Sequence, residues 1–190
     1  MKNWVILFVR TGSEEKIARL LKEKLNAEEY QPFLPVKETP RRSKGVIRKE
    51  RKLLFSGYVF IQTEIEAGSI AKKLKSDLTD ITGKWHEDIY KILHNGDNEK
   101  DVAVREKERL YWERLFDSDF CVTGSVGFIE GDTIRVMSGA LVGMEKRIKK
   151  IDRHKREAVV EMEMMGGVRE VRLMLEVVEK TRGTKNRIGH

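Results

Sequence analysis

The chain has 190 residues, of which 38 are Lys or Arg and 31 are Asp or Glu, and its formal net charge is +7. That length holds one ordinary domain or two small ones, and a lone cysteine, Cys121, excludes an internal disulfide framework. The apolar opening Val5 to Val9 is far too short to span a bilayer and no signal peptide precedes it, so a cytoplasmic protein without a membrane partner is expected.

Trp4 to Val9 reads as a short apolar strand. Ser13 then opens a helix with Glu14 and Glu15 in the first turn, where carboxylates complement the helix dipole. Ile17, Leu20, Leu21 and Leu25 give that helix an apolar stripe, and Asn26 suits its end. Tyr30 to Val36 predicts an edge strand, since Pro32 and Pro35 remove ladder donors. Leu53–Phe55 and Tyr58–Thr63 flank Ser56-Gly57 as two strands around a turn. A helix is expected from Ala67 to Lys75, a strand from Ile89 to Leu93, and a helix from Arg105 to Phe116, where Leu110, Tyr111, Leu115 and Phe116 cluster at helical spacing. This β-α-β-β-β order with later helices predicts an α+β sandwich.

The rhythm changes at the polar connector Asp117-Ser118-Asp119. Beyond it, Asp132 to Ser138 alternates, with Ile134 and Val136 on one face, between Gly131, Gly139 and Gly143. Lys146 to Asp152 carries Ile148 and Ile151 at a spacing that implies a bulge. Ala158, Val160, Met162 and Met164 alternate up to Gly166-Gly167, a pair suited to a tight hairpin, and Val171, Leu173 and Leu175 alternate again after it. Short strands packed this densely favour a small barrel, because closure removes exposed edges.

Three segments in this order resemble the NusG family: Asn3-Trp4-Val5-Ile6-Leu7-Phe8-Val9 with its following helix, the basic stretch leading to Leu54-Phe55-Ser56-Gly57-Tyr58-Val59-Phe60-Ile61, and Gly127 to Gly143, which looks like the opening of a KOW motif. The resemblance covers most of the chain. It departs at Ser56, where the family usually has proline, and across Asp77 to Val104, which fits the pattern poorly. It implies an N-terminal NGN α/β sandwich with an antiparallel sheet (1–118), a linker (119–126), a C-terminal KOW β-barrel (127–180) and a basic flexible tail (181–190).

Trp4, Ile6 and Phe8 share one strand face, and Tyr58 and Phe60 share another. Alternation alone leaves that aromatic surface either core or binding patch. The resemblance implies a patch that docks on the clamp helices of the RNA polymerase largest subunit, with Phe8, Tyr58 and Phe60 in the matching positions and Trp4 and Ile6 supporting them. In housekeeping members of the family an aromatic residue in the KOW loop helps bind ribosomal protein S10 or the termination factor Rho. Here the loop offers Leu141 or Val142 instead, and Leu141 serves equally well as a plug for the barrel mouth.

Positive charge is clustered. Lys146, Arg147, Lys149, Lys150, Arg153, His154, Lys155 and Arg156 predict an RNA-binding face, to which Arg182 and Lys185 of the tail add phosphate contacts. The turn Asp152-Arg153-His154-Lys155 is expected to project Arg153, Lys155 and Arg156 together. A second stretch, from Lys37 to Lys52, offers Arg41, Arg42, Lys44, Arg48 and Lys49 as a further nucleic-acid contact or a solvated edge.

No constellation for catalysis emerges. There is no phosphate-binding Gly-Lys-Ser or Gly-Lys-Thr loop and no His-Glu-x-x-His, and His86 and His94 lie outside common zinc spacings, so neither cofactor nor metal is expected. Cys121 and His154 have nothing to bring them together. The expectation is therefore a monomeric binding protein, a transcription elongation factor acting as a processive antiterminator on polymerase and nascent structured RNA. Ser56, Leu141 and the basic KOW face make it resemble the specialised LoaP antiterminators, with ribosomal protein S10 as a further partner. The alternatives are a housekeeping NusG-type factor coupling polymerase to the ribosome or Rho, and a ribosome-associated KOW protein on structured rRNA.

Overall fold

The computed structural model describes residues 3–82 and 87–178, except for the side chains of 80–82. Strands β1 (Asn3–Val9), β2 (Tyr30–Phe33), β5 (Tyr58–Thr63) and β6 (Ile89–Ile92) form an antiparallel sheet in the order β2-β5-β1-β6. Both faces of β1 are apolar, as its sequence requires of a central strand covered on two sides. Helices α1 (Glu14–Lys24) and α2 (Ala67–Thr82) cover one face, where Ile17, Leu21, Ile70, Leu74 and Leu78 meet Val5, Leu7, Val59 and Ile61. Helix α3 (Glu106–Leu115) lies on the other, with Trp112 and Leu115 against Trp4, Ile6, Phe33 and Phe60. The mixed α+β class and the short edge strand follow the sequence. Helix α2 runs on past Lys75 because Leu78 continues the Ile70 and Leu74 stripe, and Asp77 accepts the Tyr30 hydroxyl at 2.6 Å.

Two elements differ from expectation. The second predicted strand breaks after Phe33, and the basic stretch, for which the sequence predicts no element, is a long hairpin, β3 (Val36–Ser43) and β4 (Val46–Leu53). Its residues are half-buried or exposed throughout, so no apolar alternation announces it. Lys44 and Gly45 turn it, both with positive φ (49° and 80°), the conformation that two-residue hairpin turns need. In α3 the buried stripe is Glu108, Trp112 and Leu115, at i, i+4 and i+7, whereas Leu110 faces solvent.

The rest of the chain builds a five-stranded sheet, β10-β11-β12-β8-β9, from β8 (Ser125–Glu130), β9 (Thr133–Ser138), β10 (Ile148–Asp152), β11 (Glu157–Met164) and β12 (Gly167–Val177). The expected bulge falls between Ile148 and Lys150. The β11–β12 turn sits one residue earlier than the glycine pair suggests, since Met165 and Gly166 take the positive φ values (51° and 76°). A 3-10 turn at Glu145–Arg147 packs against β9 and β11, and its Glu145 carboxylate accepts the Val136 amide at 3.2 Å. Inside lie Leu141, Val160, Met162, Leu173 and Leu175.

The two sheets do not have separate interiors. One apolar cluster runs from Trp4 and Phe60 through Trp112 to Val160 and Leu173. Connector strand β7 (Cys121–Val122) pairs with β3 in parallel. The seam is polar at its rim: the Met165 amide donates to Glu108 Oε1 at 2.8 Å, Lys37 Nζ donates to the Arg172 carbonyl at 2.7 Å, and the Gly124 amide donates to Glu38 Oε2 at 2.6 Å. Arg147 covers the Tyr111 ring at 4.5 Å. Among the described residues no helix is long and apolar enough to cross a membrane.

Candidate functional site

Phe8 and Tyr58 are directly opposite on β1 and β5, ring centroids 5.4 Å apart, and both are half-buried. Tyr90 joins them from β6, 5.2 Å from Phe8 and 51% exposed. The β1–β6 register shifts between Phe8 and Val9, and Tyr90 falls within that irregularity. This puts Tyr90 beside Phe8, while Ile89 is buried with Val9 on the helix-covered face. Sequence reading missed Tyr90 for this reason. A bulge that redirects one side chain leaves no periodic signal.

Buried polar groups hold the patch in place. Glu14 is only 3% exposed, and its carboxylate accepts the Gly57 amide at 2.6 Å and the Gly12 amide at 2.7 Å. The first-turn acid of α1 thus fixes the turn that delivers Tyr58. Gly57 has φ of 83°, a conformation that L side chains rarely adopt, so the turn needs glycine. On the β6 side, buried Asp88 meets Arg10 Nε at 3.1 Å and Lys16 Nζ at 2.9 Å. Arg10 also reaches Tyr90, and with exposed Lys91 it gives the aromatic patch a basic border.

The other three residues assigned to this surface do not reach it. Trp4 is 1% exposed, and Ile6 and Phe60 are fully buried. Trp112 and Phe116 from the α3 region cover them, with Phe116 stacked 6.2 Å from Trp4, Trp112 edge-on 6.3 Å from Phe60, and Phe55 stacked 6.2 Å from Phe60. Phe60 therefore belongs with Trp4 and Ile6 as support beneath the patch.

The basic residues of the C-terminal sheet divide into paired and free. Lys149 Nζ meets Glu161 at 3.0 Å, Arg156 meets Glu176 at 2.8 Å, and Arg147 faces Glu163 at 3.5 Å as well as Tyr111. Arg156, expected to project from the turn, takes a positive φ of 54° and is half-buried. Lys146, Lys150, Arg153, His154 and Lys155 are exposed, and their side chains have no ion pair among the described residues. The turn itself is set by Asp152, whose carboxylate accepts the Lys155 amide at 2.9 Å and is held below the usual carboxylate range mainly by that bond. Arg182 and Lys185 lie outside the described residues.

On the β3–β4 hairpin, Arg41 and Lys52 share Glu50 at 3.0 and 2.9 Å, and Lys49 holds Glu38 at 2.9 Å. Arg42, Lys44 and Arg48 have exposed side chains with no ion pair among the described residues.

Leu141 is fully buried and its amide donates to Ser125 Oγ at 2.9 Å, so it plugs the small sheet and leaves only Val142, 44% exposed, to meet a partner. Cys121 is buried, and burial pushes its thiol above the ordinary range, the reverse of what a nucleophile needs. No His, Cys, Asp and Glu grouping among the described residues has the form of a metal site, and His86 lies outside those residues.

Comparison with known proteins adds an independent line. Residues 2–110 match the family model described as transcription termination factor nusG. The chain is 24% identical over 187 residues to the transcription termination/antitermination protein NusG of Pasteurella multocida, covering 95% of this chain and 96% of the relative. It is also 24% identical over 189 residues to the protein of the same name from Pseudomonas aeruginosa, covering 94% and 98%. A chain of the crystallised MjSpt4:Spt5 complex, conformation B, aligns over 88% of this chain and 95% of its own length at 16% identity, with a TM-score of 0.28 that is too low to bear on fold or function.

Proposed function

Because the chain belongs to the NusG family of transcription termination and antitermination factors, we propose that it is an elongation factor that works by binding, as a processive antiterminator. In this reading residues 1–118 are the NGN domain, 119–126 the linker and 127–180 the KOW domain. The Phe8, Tyr58 and Tyr90 patch docks on the clamp helices of the RNA polymerase largest subunit, and the free cations of the β10–β11 turn hold structured nascent RNA.

The carrying observation is that Phe8 lies 5.4 Å from Tyr58 on one side and 5.2 Å from Tyr90 on the other, on a sheet face otherwise sealed by α3, and that these half-buried or exposed rings are bordered by Arg10 and Lys91. Rigid aromatic groups ringed by charge are the usual anchors of a protein interface. Such a patch fits an apolar helical surface with acidic flanks. Docking there would stabilise the closed clamp and oppose pausing and termination, with no chemistry asked of the factor.

The test is in vitro transcription through an intrinsic terminator with purified polymerase. Wild-type protein should raise read-through, and the change Tyr90→Ala, at a residue 51% exposed, should lower both read-through and polymerase capture while leaving the thermal midpoint near that of wild type. Equal capture by that variant removes the patch from the interface. Recovery of ribosomal particles instead of polymerase from cells would favour the ribosome-associated alternative.

A further inference from the structure

The two basic stretches are far apart in the chain, yet the fold brings them to the same place. Arg42, Pro40 and Ile47 of the β3–β4 hairpin face His154, Lys155, Arg156 and Glu157 at the β10–β11 turn across a cleft of about 260 Å³. We propose that this cleft is one phosphate-binding site for RNA, shared by the hairpin and the turn, rather than two separate basic surfaces. This deepens the RNA reading above and rests on it.

Three features support one shared site. First, the walls are fixed relative to one another: Lys37 Nζ ties β3 to the Arg172 carbonyl of β12 at 2.7 Å, and Glu38 ties it to the Gly124 amide at 2.6 Å. A ligand bridging the walls then loses little extra entropy in ordering them, which favours binding. Second, the cations at the cleft are available. Arg42 on one wall and His154 and Lys155 on the other have exposed side chains with no ion pair among the described residues. Three acids lie near these groups: Glu157 lines the cleft 3.9 Å from Arg172, Glu38 is met by Lys49, and Asp152 accepts the Lys155 amide and attracts its ammonium, so the net charge facing the cleft is positive but partly offset. Third, Pro40 and Ile47 give the cleft an apolar lining on which ribose can rest. Lys150 and Arg153 add exposed positive charge on the turn side and Lys44 at the hairpin tip, while Arg48, paired with Arg41 in the ladder, falls on the opposite face of the hairpin from Arg42 and Ile47.

Duplex RNA presents two phosphate rows beside a groove too narrow for side chains, so shape and charge on both flanks decide its binding. A cleft with cations on opposite walls suits that arrangement. A single convex patch does not.

The test uses the full chain with a fluorescent hairpin RNA of arbitrary stem sequence, titrated at several salt concentrations. Arg42→Glu and Lys155→Glu change one wall each, and both residues are exposed, so unchanged thermal midpoints should confirm the fold. If one RNA bridges both walls, each variant weakens binding about tenfold, the pair weakens it about a hundredfold, and each single change flattens the log–log salt slope by roughly one. If Lys155→Glu weakens binding while Arg42→Glu does not, the turn alone holds RNA; the shared cleft is then wrong and the RNA reading survives. If neither has any effect, the cleft is not an RNA site, and a wild type that fails to bind the hairpin at all overturns the RNA reading as well. Loss of polymerase capture by Arg42→Glu with unchanged RNA affinity would assign the hairpin to polymerase and also refute the shared cleft.

Discussion

The aromatic patch and the core beneath it lie on the same strands, so two variants can separate docking from folding. Phe8 and Tyr58 are half-buried neighbours whose rings meet at 5.4 Å. An aromatic pair contributes about 0.5–1.5 kcal/mol beyond its area. With only part of each ring in water but both still at the surface, replacing both by Ala should cost about 2–3 kcal/mol in total. Phe60 is fully buried among Phe33, Phe55 and Trp112, with centroids at 5.5, 6.2 and 6.3 Å. Phe60→Ala alone should therefore cost about 3–5 kcal/mol. For a chain of this size 1 kcal/mol moves the midpoint by about 2–4 °C. The double variant should accordingly melt cooperatively about 5–10 °C below wild type, and Phe60→Ala lower still. Binding should rank the other way. Truncating central interface aromatics removes about 2–4 kcal/mol of affinity, a loss of roughly 30-fold to 1,000-fold. Differential scanning calorimetry and polymerase titration on the same preparations provide both numbers. The reasoning fails if the double variant binds polymerase like wild type, or if it unfolds as readily as Phe60→Ala.

Glu108 supplies a pH prediction. Burial raises its pKa, with the Met165 amide bond opposing the shift. A raised carboxyl stabilises the fold fully below the ordinary carboxylate range, about 4–4.5, and loses that contribution as pH rises through the raised value. Glu108→Gln keeps an acceptor for Met165 without the charge, so its thermal midpoint should exceed wild type near neutrality and converge with it in acid; parallel curves would contradict the assignment. Gly139 supplies a packing prediction. Its φ is 91°, and a Cβ would fall 2.3 Å from the Gly124 carbonyl and 2.5 Å from Ser125 Cα. Gly139→Ala should cost about 3 kcal/mol or more in denaturant unfolding, against about 1 kcal/mol for Gly131→Ala, which has positive φ but open space.

What the sequence revealed depended on burial. Strands β1 and β5 were legible as short apolar runs because both their faces are packed, and β11 and β12 by alternation because one face is. The β3–β4 hairpin was not, since a two-stranded arm in solvent imposes no such pattern on Arg, Lys and Glu. Trp112 escaped because α3 serves two neighbours. Its Trp112 and Leu115 face the sheet, while Tyr111 lies under Arg147 of the small sheet, so the apolar residues spread around more than half of the helix. The pairing of Lys149 with Glu161 depends on the β10–β11 register, which a bulge shifts next to Ile148. Charge clusters are visible in a sequence, but their cross-strand partners are not.

The shared core bears on how tightly the RNA cleft needs to bind. Trp112 is buried between the aromatic sheet and the cluster that continues into the C-terminal sheet, and parting them would expose it at a cost of several kcal/mol. The cleft is therefore carried on the same frame as the patch. Under the proposed function, with the patch on polymerase, the emerging transcript would meet the cleft as a tethered ligand, at an effective concentration of about a millimolar. A cleft with a dissociation constant of about a micromolar would then be occupied about 99.9% of the time, although free RNA at cellular levels would rarely fill it. Phosphate contacts from a few cations are sufficient for such an affinity, and their salt sensitivity sets its limit. A nanomolar constant for one stem over its scrambled counterpart would require base readout, and the exposed Arg153 on the turn would be the first side chain to test for it.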